Sequence, residues 1–78
     1  MIVEFSRQAN REYRRWQRRD KRIAAKIDEL LLDIARDPFS GLGKPELLKG
    51  SFSGWWSRRI TGEHRLVYQV HGGRIFVA

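Results

Sequence analysis

Seventy-eight residues make a single domain, 1–78, and a chain this short buries only about 60% of the surface that its unfolded form exposes. Three Trp, four Phe and two Tyr must therefore carry much of the core, while the lack of cysteine excludes a disulfide framework or a thiolate metal site. Two histidines are too few for the usual zinc sets, so no metal and no cofactor are expected, and a net charge of +7 with a pI near 10.8 favours a polyanionic partner, nucleic acid or an acidic protein.

Ile2 to Phe5 reads as a short strand, β-branched and aromatic residues around one charge. It lacks the apolar h-region of a signal peptide, and no run approaches membrane-spanning length; a soluble, cytoplasmic protein without membrane contact is expected. Ser6 offers an N-cap for a helix over Arg7–Arg19. On a 3.6-residue period Ala9, Tyr13 and Trp16 share one face, which should be core. Arg7, Arg11, Arg14, Arg15 and Arg18 share the other. From Arg7 to Arg22 eight basic residues face two acidic ones, so this stretch alone holds +6. A bare solvated face would leave those arginines repelling one another, whereas RNA phosphates would neutralise them.

Asp20 should cap a second helix running to about Asp37 and stopped by Pro38. Ile23, Ile27, Leu30, Leu31 and Ile34 form its apolar stripe; Leu32 lies opposite, exposed or against a partner. Pro38 to Pro45 is loop by its Pro and Gly content. Thereafter the period changes to two. Glu46–Lys49 is a short strand and Ser51–Gly54 a turn. Trp55–Ile60 and His64–Val70 are strands joined at Thr61-Gly62-Glu63, and a last strand starts at Arg74 after His71-Gly72-Gly73. The expected fold is α+β, in the order β-α-α-β-β-β-β, with a mostly antiparallel sheet covered on one face by two helices.

Alternation sends Leu66, Tyr68 and Val70 toward the helices and Arg65, Val67 and Gln69 to the open face. Only one of Arg58 and Arg59 can share Arg65's face. His64 should point to the covered side, and His71 to solvent in its Gly-rich turn. Trp55 and Trp56 occupy opposite faces, so one belongs in the core and the other at an interface.

Several segments together resemble the YoeB branch of the RelE superfamily: Asp20-Lys21-Arg22-Ile23, Asp37-Pro38-Phe39, Gly41-Leu42-Gly43-Lys44-Pro45-Glu46, Gly54-Trp55-Trp56-Ser57-Arg58-Arg59-Ile60 and Glu63-His64-Arg65-Leu66-Val67-Tyr68. The resemblance runs from about Trp16 to Tyr68. It implies a microbial-ribonuclease-like fold and the toxin of a type II toxin–antitoxin pair. Such toxins cleave mRNA in the ribosomal A site without a metal and are silenced by a YefM-type antitoxin; many form homodimers. Carried over by motif, Glu46 is the base that activates a ribose 2′-hydroxyl, and Lys49 and Arg65 hold the scissile phosphate. Lys44, Arg58, Arg59 and the five arginines of the first helix are expected to contact RNA or the ribosome.

The family's acid, a His in a C-terminal His-Tyr pair beyond the last strand, has no counterpart in Ile75-Phe76-Val77-Ala78. Impaired cleavage by the 78-residue form is the expectation that follows. Two other classes stand as alternatives. One is a non-cleaving toxin of the same fold acting on a protein target, as ParE-like relatives act on DNA gyrase. The other is a basic RNA- or ribosome-binding module.

Overall fold

The computed structural model describes every residue from Met1 to Ala78. Strand β1 (Ile2–Phe5) leads into α1 (Arg7–Arg19) and α2 (Lys21–Arg36). Then come β2 (Glu46–Leu47), a 3₁₀ turn (Gly50–Phe52), β3 (Trp56–Arg59), β4 (Arg65–His71) and β5 (Arg74–Val77). The expected α+β order holds throughout. The expected strand over Glu46–Lys49 closes after Leu47, although the Leu48 amide still donates to the Trp55 carbonyl at 2.9 Å.

Local chemistry sets the helix ends. The Ser6 hydroxyl accepts from the Ala9 amide at 3.0 Å, starting α1. Asp20 closes one helix and opens the next. Its amide donates to the Trp16 carbonyl at 2.8 Å, while its carboxylate accepts from Arg22 and Ile23 amides. A single residue thus turns the corner between α1 and α2. Arg18 and Arg19 occupy the last turn of α1, where the helix dipole favours cations.

The five strands lie in the order β1-β5-β4-β3-β2. Neighbours are antiparallel except β1 and β5, which run parallel with Val3 opposite Ile75 and Phe5 opposite Val77. Both helices cover one face. Ala9 of α1 and Ile27, Leu30 and Ile34 of α2 bury against Leu66, Tyr68, Ile75 and Val77, with Tyr13, Trp16, Ile23 and Leu31 packed around them. Leu32, 75% exposed, stays outside. The second face is open.

Candidate active site

The register decides which side chains share the open face. Glu46 of β2 opposes Ser57 of β3, which opposes Val67 of β4. One row further, Arg59 opposes Arg65. Arg65 leans back toward the first row, its Nε donating to the Ser57 hydroxyl at 2.9 Å and its Nη2 to the Glu46 carboxylate at 3.3 Å. Ser57 is buried beneath this contact, whereas the Arg65 side chain is 35% exposed and that of Glu46 is 67% exposed. A guanidinium anchored on one edge and open on the other can receive a second anion, and a carboxylate beside it can accept a proton.

Lys49 follows three residues after Glu46, at the start of the 3₁₀ turn, and is exposed. Lys44 is exposed at φ +51°, a left-handed conformation rare for a side-chain-bearing residue. Arg59 is exposed beside Arg65. The structure therefore gathers Glu46, Arg59 and Arg65 on one face, with Lys44 and Lys49 at either end of the strand that presents Glu46.

Arg58 is a correction. Expected to meet RNA, it is completely buried on the helix side, opposite Leu66. All five guanidinium N–H groups find acceptors there. Nη1 donates to the Asp33 carboxylate and to the Leu42 carbonyl (3.2 Å), Nη2 to the Asp37 (2.6 Å) and Ser40 (3.1 Å) carbonyls, and Nε to the Tyr68 hydroxyl (3.2 Å). Tyr68 in turn donates to the Pro38 carbonyl at 2.6 Å. A buried cation is tolerated only when so paired, and this one ties residues 37–42 to the sheet.

Asp33 is the partner that the sequence reading did not single out. It accepts from the Leu42 amide, Arg36 and Arg58, in that order of influence, and these donors hold its carboxyl at about 2, below the ordinary 3.8. A signal did exist: Asp33 adjoins Ile34 at the edge of the apolar stripe of α2, where an acid needs a partner. Gly43 completes the clamp. Its carbonyl accepts from the Arg59 amide at 2.6 Å, and a Cβ on it would stand 2.9 Å from the Arg59 carbonyl at φ +77°. The backbone comes too close there for any other residue.

The arginine face of α1 is exposed, and none of Arg7, Arg11, Arg14, Arg15, Arg18 or Arg19 pairs with a carboxylate. Glu12, by contrast, borders a small apolar cavity between α1 and the sheet, lined by Ala9, Tyr13, Ile27, Leu66 and Val77. His64 packs edge-on against Trp16, ring centres 5.0 Å apart, on the covered side as expected. Of the tryptophans, Trp56 packs on the core and meets Phe39 at 5.0 Å, while Trp55 stands outside it.

Comparison with known proteins fits this geometry. Residues 5–78 match the YoeB-like toxins of bacterial type II toxin–antitoxin systems. The chain belongs to that family. It is 53% identical to the toxin YoeB of Escherichia coli K12, over all of this chain and 93% of that one. A YoeB–YefM heterotetramer from Staphylococcus aureus contains a chain superposing with a TM-score of 0.95 at 46% identity, covering 100% of this chain and 91% of that one. A YoeB dimer from the same species superposes equally well, with the same identity and coverage. As a YoeB-like toxin, the chain has the two-helix, five-strand architecture of those structures. No helix in it is long and apolar enough to cross a membrane.

Proposed function

We propose that this toxin is a metal-independent endoribonuclease that cleaves mRNA in the ribosomal A site by 2′-hydroxyl attack. The observation that carries the reading is the contact of Arg65 with both Glu46 and Ser57 on the open sheet face. Substrate phosphate can take the free edge of Arg65, leaving Glu46 to accept the 2′-hydroxyl proton. The 2′-oxygen then bonds to phosphorus as the bond from phosphorus to the 5′-oxygen breaks, and the leaving 5′-oxygen takes a proton from water or from an acid added after Ala78, giving a cyclic phosphate and a free 5′-hydroxyl. Arg65, with Arg59 opposite it, stabilises the negative charge that grows on the phosphoryl oxygens, and Lys49 adds a cation from the far end of β2.

Within residues 1–78 neither histidine side chain lies beside the Glu46–Arg65 contact. His64 packs on Trp16, and His71 lies six positions along β4 from Arg65, roughly 20 Å away. β5 runs antiparallel to β4 with the Ala78 amide on the Val67 carbonyl, so residues added after Ala78 would enter the site beside Arg65. The exposed arginines of α1 and Lys44 supply sequence-independent affinity for ribosomal RNA, graded by salt. By similarity to the assemblies described above, a YefM-type antitoxin is the silencing partner and homodimers form.

Primer-extension mapping of an mRNA on purified ribosomes tests the reading, using the 78-residue form and one extended by a His-Tyr pair. Cuts confined to the A-site codon, faster with the extension and abolished by Glu46→Gln, are expected. If both forms bind ribosomes or gyrase and neither cuts, the nuclease reading is wrong and a binding toxin takes its place.

A further inference from the structure

One row away from Glu46 the open face carries a second feature. Gln69 of β4 opposes Phe76 of β5, and because Trp56 opposes Tyr68, Trp55 lies beside Gln69 one position earlier in the chain. Trp55, Gln69 and Phe76 are half-buried. Together with Glu4 and His71 they line an open groove of about 680 Å³. The hydrophobic core does not use the two aromatics, since it lies on the opposite face with Trp56 as its edge. Gly54 keeps one wall low, a Cβ there meeting only Gln69 at 3.7 Å. Glu4 on the rim is neutralised by Arg74 at 2.5 Å and so opposes no incoming anion.

Three parallel rows thus cross the sheet, each about 7 Å from the next. The first holds Arg59 and Arg65, the second Glu46, Ser57 and Val67, the third Trp55, Gln69 and Phe76. Arg65 leans toward Ser57, which brings its guanidinium close to the second row and leaves the other edge for phosphate. Phosphate, 2′-hydroxyl and base follow one another in the same order within a single nucleotide. We propose that Trp55, Gln69 and Phe76 bind the base of the nucleotide whose 2′-hydroxyl attacks, an inference that rests on the nuclease reading above. Trp55 and Phe76 stack on the ring, as aromatics do on any base. The Gln69 amide offers a donor and an acceptor to the base edge and so biases which base is accepted.

The test uses ribosomes carrying mRNAs with 4-thiouridine at one A-site codon position each and 2′-O-methyl groups that block attack. The toxin is crosslinked by light and the attachment point read by mass spectrometry. One codon position should crosslink to Trp55, Gln69 or Phe76. On cleavable mRNA with the His-Tyr-extended form, Trp55→Ala should slow cutting by about 10- to 100-fold while Trp55→Phe stays within about threefold. Gln69→Ala should change codon preference more than rate. Crosslinks to the Arg65 row alone, or full activity in Trp55→Ala, overturn the subsite and leave the nuclease standing. If no codon position crosslinks to the toxin at all, the nuclease reading fails and the subsite falls with it. Equal losses in Trp55→Phe and Trp55→Ala, with unchanged melting, refute the stacking role.

Discussion

Replacing Arg58 with Ala removes a side chain that no solvent reaches and that contacts no candidate substrate group. The change strands the Asp37 and Leu42 carbonyls and one lone pair of Tyr68, and takes a donor from the Asp33 carboxylate and the Ser40 carbonyl, which keep Arg36. Each buried acceptor left bare costs about 1–3 kcal/mol. Ser40 and Leu42 sit on an exposed loop where water can replace part of the loss. A net destabilisation of about 3–5 kcal/mol follows, the range seen when one member of a buried pair is removed. A domain of 78 residues has only about 4–12 kcal/mol in total, so the melting temperature should fall by about 15–30 °C. Arg58→Lys, whose three donors leave two of the five acceptors unmet, should lose about half as much. Arg59→Ala, on the open face, should stay within about 0.5 kcal/mol. Urea and thermal unfolding followed by circular dichroism measure all three. A loss under 1 kcal/mol for Arg58→Ala would refute the clamp, and with it the claim that Arg58 is structural rather than an RNA contact.

Acid should act on the same clamp. Asp33 titrates near 2 when folded and near 3.8 when unfolded. Its contribution is complete above about pH 4 and fades as the pH falls toward 2. In Asp33→Asn that part of the pH dependence should vanish, as seen in urea midpoints measured at each pH. Replacing Arg14, Arg15 and Arg18 together by Glu should abolish ribosome binding at physiological salt while the melting temperature falls by no more than about 5–10 °C, the cost of an anion where the α1 dipole favours a cation. Wild-type affinity in that triple variant, measured by ribosome pelleting across a salt series, would remove α1 from the binding surface.

What the chain reveals locally, it reveals well. The Ser6 and Asp20 caps, the Ile27-Leu30-Ile34 stripe and the alternation through Leu66 and Tyr68 are all written in neighbouring residues, and each corresponds to what forms. The parallel pairing of β1 with β5 is different. It joins the two ends of the chain, and no short-range period records which distant strand becomes a neighbour. Arg58 shows a second limit. Alternation already required that Arg58 and Arg59 face opposite ways, but the usual association of arginine with solvent hid the consequence that one of them must be buried with a partner. Asp33 and the carbonyls of residues 37–42 are that partner, and they come together only after folding. The family motif names Glu46 and Arg65 for one site; Ser57, which fixes the Arg65 head, carries no such mark.

The clamp around Arg58 also has a genetic consequence. The loop that it anchors delivers Gly43, whose carbonyl is bound by the Arg59 amide, and two residues later the chain enters the strand bearing Glu46. Mutants selected for survival of the toxin should therefore map in two groups. One holds exposed residues of the open sheet face. The other, at Asp33, Gly41, Gly43, Arg58 and Tyr68, touches nothing that the toxin attacks, and its alleles should be conditional, harmless in warm cultures and lethal again in cold ones.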